Sequence, residues 1–338
     1  MYKISLITGD GIGPELSESV TEILHAISDK IGLKLDINPV EAGDIALKKT
    51  GKALPDSTLD AIKKSDACLK APVGESAADV IVVLRRMLDL YANIRPAKSY
   101  PNMPSLRENI DLVIVRENTE DLYTGMEFDV GNAAVALRTI SEYASRRIAK
   151  YAFMTAKQRN KQNKVTCVHK SNVMRKTDGL FARTCAQVAK DYDNIAFEQM
   201  YVDACAMNLI RQPEAFDVIV TTNLFGDILS DEAAQVVGGL GMAPAANIGE
   251  NFALFEPVHG AAFDIAGKQA ANPSSFILSA KMMLEWLAMK NNDSKSFSVA
   301  KKIEEAVYGV VSEGIKTKDI GGNNTTKEFT HKVISKLT

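Results

Sequence analysis

The chain has 338 residues, 46% of them hydrophobic and 24% charged, with a formal net charge of -2. That balance suits a globular protein of two ordinary domains, and its mixed charge gives no sign of a nucleic-acid or membrane surface. No apolar run approaches the roughly 20 residues that cross a bilayer, the N-terminus enters a strand pattern without a signal-peptide layout, and Cys68, Cys167, Cys185 and Cys205 form no C-x-x-C pair, so a cytoplasmic protein without membrane, zinc or disulfide framework is expected.

Residues 3–8 form a short apolar run, followed by Gly9-Asp-Gly-Ile-Gly-Pro-Glu15 and then by Leu16, Val20, Ile23, Leu24, Ile27 and Ile31 at helical spacing. This reads as strand, glycine turn and helix, with Pro14 where a first helical turn accepts it. The last glycine comes one residue too early for a G-x-G-x-x-G dinucleotide fingerprint, and Asp36 lies inside the next strand rather than at its end. A tight turn that lets helix pack against strand is the better reading.

Strands are predicted over 33–40 and 67–71, and helices over 44–49 and 58–64. A helix over 77–90 places Ala78, Ile81, Val82 and Arg85 on one face, so that a guanidinium stands one turn from a small aliphatic patch. Arg95 follows just past that helix, and Arg116 closes a buried strand at 112–116. Three arginines at the ends of elements suit a carboxylate clamp, although each alone is better read as an ordinary surface or ion-pairing arginine. The prolines of 96–104 mark a crossing between domains, and 126–139 reads as a hairpin-like arm.

The pattern then alternates: helix 141–159, strand 164–170, helix 178–192, strand 195–202, helix 203–210, strand 216–221 and a helix opened by Asn223-Leu-Phe-Gly-Asp227. A glycine-rich crossing at 238–244 leads back to the first domain. A loop at 255–268 and amphipathic helices at 273–289 and 299–313 complete it. Such alternation predicts an α/β protein with a largely parallel sheet.

Asp227 and Asp231 are four residues apart on a helix, so their carboxylates share a face and repel unless something positive sits between them. An acidic first helical turn explains them, and so does a divalent ion such as Mg²⁺ or Mn²⁺ completed by water and substrate oxygens. Asp203 is a candidate third ligand. Lys170 at a strand end suits a base or a solvated charge, and Tyr123 a general acid or a core phenol. His259 and Asp264, in a glycine-containing loop, suit an adenine and a ribose, or an ordinary loop.

Taken together these segments resemble one family along nearly the whole chain: the metal-dependent β-decarboxylating dehydrogenases, which include 3-isopropylmalate, isocitrate, homoisocitrate and tartrate dehydrogenases. The resemblance is carried by Gly9-Asp-Gly-Ile-Gly-Pro-Glu15, Leu84-Arg85, Asp89-Leu-Tyr-Ala-Asn-Ile-Arg-Pro96, Val115-Arg-Glu-Asn-Thr-Glu-Asp-Leu-Tyr123, His169-Lys-Ser-Asn172, Tyr201-Val-Asp203, Asn223-Leu-Phe-Gly-Asp-Ile-Leu-Ser-Asp231, Glu256-Pro-Val-His-Gly260 and Asn272-Pro273. Within the family, Val73-Gly-Glu-Ser-Ala-Ala-Asp-Val80 is most similar to archaeal 3-isopropylmalate dehydrogenases.

The resemblance implies an isocitrate/isopropylmalate dehydrogenase-like fold, α/β with two domains around a cleft and not a standard Rossmann fold: residues 1–98 with 240–338 form the cofactor-side domain, and 99–239 a second domain bearing the arm. It further implies a homodimer with shared active sites, Lys170 and Asp203 being donated by the neighbour. Arg85, Arg95 and Arg116 would bind the malate carboxylates of a small 2-hydroxy dicarboxylate, with Ile81, Val82 and Val173 around its side arm. Asp203, Asp227 and Asp231 would hold Mg²⁺ or Mn²⁺, Lys170 would act as base and Tyr123 as acid. NAD would lie against Asn172, His259, Gly260, Asp264, Ile265 and Asn272.

Isocitrate enzymes of the family commonly place Ser and Asn six and four residues before the first arginine, where this chain has Asp79 and Ile81. An isopropyl arm against Ile81 and Val82 buries enough surface for roughly 2 kcal/mol, so the expected substrate is 3-isopropylmalate. Isocitrate, homoisocitrate and a broad 2-hydroxy dicarboxylate remain the competing substrates, and a non-catalytic regulatory subunit the competing class. Asp264-Ile265 favours NAD, because a carboxylate repels a 2′-phosphate. Ala78 stands where many bacterial relatives carry a glutamate directed at the nicotinamide ribose, a contact alanine cannot make.

Overall fold

The computed structural model describes residues 1–337. In chain order the elements are β1 (Tyr2–Ile7), α1 (Gly13–Ile31), β2 (Leu35–Val40), α2 (Asp44–Thr50), α3 (Asp56–Lys63), β3 (Ala67–Lys70), α4 (Ala77–Met87), β4 (Ala92–Lys98), β5 (Asp111–Glu117), β6 (Glu127–Val130), β7 (Ala133–Ala136), α5 (Glu142–Arg159), β8 (Lys164–His169), α6 (Thr177–Ala189), β9 (Ala196–Tyr201), α7 (Val202–Arg211), β10 (Val218–Thr221), α8 (Asn223–Val236), β11 (Pro244–Ile248), β12 (Ala253–Pro257), α9 (Ser274–Asn291), α10 (Ser294–Ser312) and α11 (Thr326–Ser335). A single 3₁₀ turn, Asp121–Thr124, lies between β5 and β6.

One ten-stranded sheet runs through the molecule in the order β2-β1-β3-β12-β11-β4-β5-β10-β8-β9, while β6 and β7 pair separately as a hairpin. Its first six strands come from residues 1–98 and 244–257, and its last four from 111–221. The sheet is less parallel than its alternation suggests. β11 is antiparallel to both neighbours, and β4 meets β5 antiparallel over seven residue pairs, so the last four strands run opposite to β1, β3 and β12. This reversal brings the carboxyl end of β5 beside the amino end of β4.

The glycine turn after β1 does what close packing requires. A Cβ on Gly9 would stand 2.1 Å from the carbonyl oxygen of Pro72, and one on Gly11 2.0 Å from that of Ala261. Both have positive φ, 72° and 57°, which glycine adopts without strain. Pro14 occupies the first turn of α1 and Gly32 closes it in the left-handed region.

Three strands and two helices depart from the sequence reading. Residues 92–98 form a central strand that runs into the crossing expected over 96–104, so Arg95 lies inside an element rather than beyond one. β11 and the start of the expected 255–268 loop are likewise interior strands. All three are covered on both sides and lack alternation, and Asn93, Arg95, Asn247 and Glu256 also interrupt the apolar run that announces β5 and β10. α11 is announced by a capping box, Thr325 with Glu328, in a segment without an apolar run. α4 ends at Met87 instead of residue 90, because Asp89 takes φ 45° and turns the chain into β4.

Candidate active site

Val80 and Leu84 are fully buried against Ile7, Val73 and Leu254, which fixes the orientation of α4 with roughly 1.5–3 kcal/mol of burial from each side chain. The adjoining face of α4 is thereby turned into a cleft. Ala78, Ile81, Val82 and Arg85 line a cavity of about 270 Å³ together with Arg95, Arg116, Tyr123, Asp227, His259 and Gly260. Asp79 lies elsewhere, in a neighbouring hollow with Asp44, Ser76 and Phe263.

The three arginines converge from three elements, α4, β4 and β5, and all are buried. Arg95 sends Nη2 to Asp227 and Nη1 to Asp231, both at 3.2 Å. Arg116 donates Nη1 to Asp227 and Nε to the side-chain oxygen of Asn223 at 2.9 Å. Its Nη2 is buried with no partner. An unpartnered buried guanidinium N–H is costly, and its natural complement is a carboxylate oxygen entering the cleft. Burial pushes the pKa of Arg85 down to about 10 despite Glu256, a measure of how far cationic side chains have been withdrawn from water here.

Asp227 and Asp231 lie in the second and third turns of α8, so the helix N-terminus expected to offset their charges is not beside them. Arginines do that work. Burial opposes the charge of Asp227, but Arg116 and Arg95 outweigh it and hold its carboxyl below the usual range. Burial raises that of Asp231 in spite of Arg95. Oxygen donors of this kind fit a hard divalent cation. Among the described residues no group of three His, Cys, Asp or Glu side chains converges, so an ion at Asp227 and Asp231 requires water, substrate or a carboxylate from outside the chain.

Tyr123, in the 3₁₀ turn, donates its hydroxyl to Asp227 Oδ2, and the Arg116 guanidinium lies 5.0 Å from its ring centre. Burial raises its pKa, with Arg116 opposing, so the phenol keeps its proton at neutral pH.

Lys170 and Asp203 meet each other instead of the cleft, Nζ to Oδ1 at 2.7 Å. They follow the carboxyl ends of β8 and β9, and the sheet order explains the distance: β5, which carries Arg116, is separated from β8 by β10, or about 10 Å at ordinary strand spacing. Asn172 and Val173 are exposed on the same turn as Lys170, Val173 to 68%. The lining of the arginine cleft includes none of these four.

A second cavity, of about 340 Å³, adjoins the first through His259 and Gly260, and is also lined by Ile12, Ile265, Asn272 and Asp319. Burial lowers the pKa of His259, so its ring is neutral and suited to stacking. Nothing lies within 4 Å of a Cβ built on Gly260. The chain itself therefore does not demand glycine there, whereas a closely approaching ligand would. Asn272 is buried with its Nδ2 unpartnered, a further donor facing no protein acceptor. Asp264 is exposed in the following turn and is not part of the lining. These features fit a dinucleotide.

Sequence reasoning passed over a buried polar layer beneath the arginines. Asn247 accepts from Arg85 Nε, Asn93 and Asn118, and donates to Glu256 at 2.8 Å. Glu256 also meets Lys70 at 2.8 Å, and Asn93 accepts from Arg95 Nε at 2.9 Å. The available signal was polarity inside an apolar stretch: Asn93 in Tyr-Ala-Asn-Ile-Arg and Asn247 in Ala-Ala-Asn-Ile.

Comparison with known proteins places this geometry in context. The family model described as isocitrate/isopropylmalate dehydrogenase matches residues 3–333. A 3-isopropylmalate dehydrogenase of Saccharolobus solfataricus is 52% identical over 334 residues, covering 98% of each chain. Another of Archaeoglobus fulgidus is 53% identical, covering 100% of each. The crystal structure of isocitrate dehydrogenase from Methylococcus capsulatus superposes with a TM-score of 0.92 at 41% identity, covering 100% of this chain and 99% of that one. Among the described residues no helix is long and apolar enough to cross a membrane.

Proposed function

The chain belongs to the isocitrate/isopropylmalate dehydrogenase family of decarboxylating dehydrogenases, and from that premise we propose that it oxidises and decarboxylates 3-isopropylmalate with NAD, yielding 4-methyl-2-oxopentanoate and CO₂ as a step of leucine biosynthesis. The observation that carries this reading is the cleft in which Ile81 and Val82 stand beside Arg85, Arg95 and Arg116. An aliphatic wall next to three guanidiniums suits a dicarboxylate with a branched apolar arm, and offers no hydrogen bond to a third carboxylate.

In this reading Arg85, Arg95 and Arg116 bind the two carboxylates, the free Nη2 of Arg116 taking one oxygen. Asp227 and Asp231 would hold Mg²⁺ or Mn²⁺ with Asp203 of the partner subunit; a divalent ion there supplies Lewis-acid stabilisation of charge developing on substrate oxygen. Lys170 Nζ accepts the C2 hydroxyl proton as hydride leaves C2. Arg95 and Arg116 keep the developing negative charge paired as the C3–CO₂ bond breaks, and Tyr123 Oη returns a proton to C3.

The same reading makes the protein a homodimer with shared sites. Its support is the separation of the exposed Lys170–Asp203 pair from the cleft, and the apolar residues Phe128 and Val130 exposed on the β6–β7 hairpin. His259, Gly260, Ile265, Asn272 and, from the partner, Asn172 would receive NAD. Asp264 is assigned to the ribose hydroxyls, with Val173 beside the substrate arm. Four buried, unpaired thiols suit the reducing cytoplasm.

The test is a panel of kcat/KM values for 3-isopropylmalate, isocitrate and homoisocitrate with NAD or NADP and Mg²⁺. A preference for isocitrate of about tenfold or more would overturn the substrate assignment, being about 1.4 kcal/mol of transition-state binding in the wrong direction. The second reading, a broad 2-hydroxy dicarboxylate enzyme, is favoured by Ala78, which leaves the cleft wall small beside Ile81.

A further inference from the structure

Arg138 lies where the chain leaves the β6–β7 hairpin, and its guanidinium is spent entirely inside the protein. Nε donates to Asp121 Oδ1 at 2.5 Å and Nη2 to Asp121 Oδ2 at 3.1 Å. Nη2 also donates to Thr222 Oγ1 at 2.8 Å, and Nη1 to Asp178 Oδ1. Phe225, in the first turn of α8, places its ring 5.0 Å from the guanidinium carbon. Both carboxylates are fully buried. A single forked cation thus neutralises two buried anions at once.

What the carboxylates hold matters more than the pair itself. Asp121, in the left-handed region at φ 73°, begins the turn that carries Tyr123, and its Oδ2 also accepts Leu224 N–H at the start of α8. Asp178 turns its second oxygen to the backbone N–H of Lys170 at 2.5 Å. One side chain therefore ties the Tyr123 turn, the N-terminus of the helix bearing Asp227, and the turn bearing Lys170. A lysine has a point charge in place of a fork and reaches only one carboxylate in good geometry.

We propose that Arg138 is a positioning residue that fixes the relative placement of Tyr123 and Lys170 through Asp121 and Asp178. This rests on the proton-transfer roles given to those two residues above. If the active sites are shared, Tyr123 serves one cleft and Lys170 the other, so Arg138 holds one group of each site in a single frame and anchors it to the foot of the hairpin.

Arg138→Lys in the full-length protein is the test. It is expected to fold, to keep KM for hydroxy acid and dinucleotide within about threefold, and to lose about tenfold to a hundredfold in kcat, the scale of a misplacement near 1 Å. The solvent deuterium isotope effect on kcat, which reports proton transfer, is expected to change with it. A folded Arg138→Lys protein with kcat within about twofold of the parent overturns the proposal, as does a rise in KM that accounts for the whole loss. Should that variant not fold, Asp178→Asn removes a single anion at constant shape; unchanged kcat in it overturns the proposal equally. Tyr123→Phe and Lys170→Met separate the two levels. If either retains full kcat the proton-transfer reading itself fails, whereas inactive Tyr123→Phe and Lys170→Met proteins alongside an active Arg138→Lys defeat only the role of Arg138.

Discussion

Arg85 and Asn247, 162 positions apart in the chain, are joined by a 2.9 Å hydrogen bond from the guanidinium Nε to the amide oxygen. The same oxygen accepts from Asn93, whose own oxygen accepts from Arg95 Nε. One buried amide therefore aligns two of the three arginines in the cleft. Asn247→Ala is expected to raise KM for the hydroxy acid by about tenfold and to cost roughly 2–4 kcal/mol, because several buried donors and the Glu256 carboxylate lose a partner together. Substrate titration and denaturant unfolding measure the two effects, and unchanged KM would show that the arginines hold their places without it.

Ile81 lines the cleft and Asp79 does not. Ile81→Asn should shift the ratio of kcat/KM for isocitrate over isopropylmalate by about tenfold, and Asp79→Ser alone should change it little, since its charge sits in a separate hollow open to solvent. The double variant tests whether the two add. An equal effect from each single change would mean that Asp79 acts on the substrate at longer range.

Arg95 and Arg116 neutralise Asp227, and Arg95 also neutralises Asp231. A dicarboxylate competes for the arginines and a divalent ion for the aspartates, so each should bind better when the other has entered. Thermal unfolding with Mg²⁺, with isopropylmalate and with both is expected to give a combined shift greater than the sum of the separate ones. EDTA should abolish the excess. Simple additivity would mean that these ion pairs do not govern ligand entry.

Glu304 accepts from Lys98 at 2.6 Å and meets Lys281 at 3.1 Å. Burial alone would raise its pKa, but Lys281 and Lys98 outweigh it and bring it to about 2. A depressed carboxyl stabilises the fold above its unfolded pKa and loses that contribution as pH falls through the folded value. The window is thus from about 4.3 down to about 2. Glu304→Gln should cost roughly 2 kcal/mol at pH 7 and flatten the fall of stability across that window, read from urea unfolding at each pH. A parallel curve for the two proteins would assign the acid sensitivity elsewhere.

Local periodicity in the sequence determined the elements that have one exposed face. It placed α1 behind a glycine turn, set Ile81, Val82 and Arg85 on one side of α4, and put Asp227 and Asp231 on one side of α8, because side-chain direction repeats with the backbone. It was silent for β4, β11 and β12, which are covered from both sides like β5 and β10 but are interrupted by Asn93, Arg95, Asn247 and Glu256 where those two hold unbroken apolar runs, and it therefore left Arg95 outside an element. Only the tertiary structure decided which charges meet. Arg95 faces Asp227 across the antiparallel join of β4 and β5, Asn247 stands under Arg85, and Lys170 pairs with Asp203 at the far edge of the sheet. Those neighbours are fixed by strand order and direction, which bring together residues from 33 to 162 positions apart, and no local pattern in the chain encodes them.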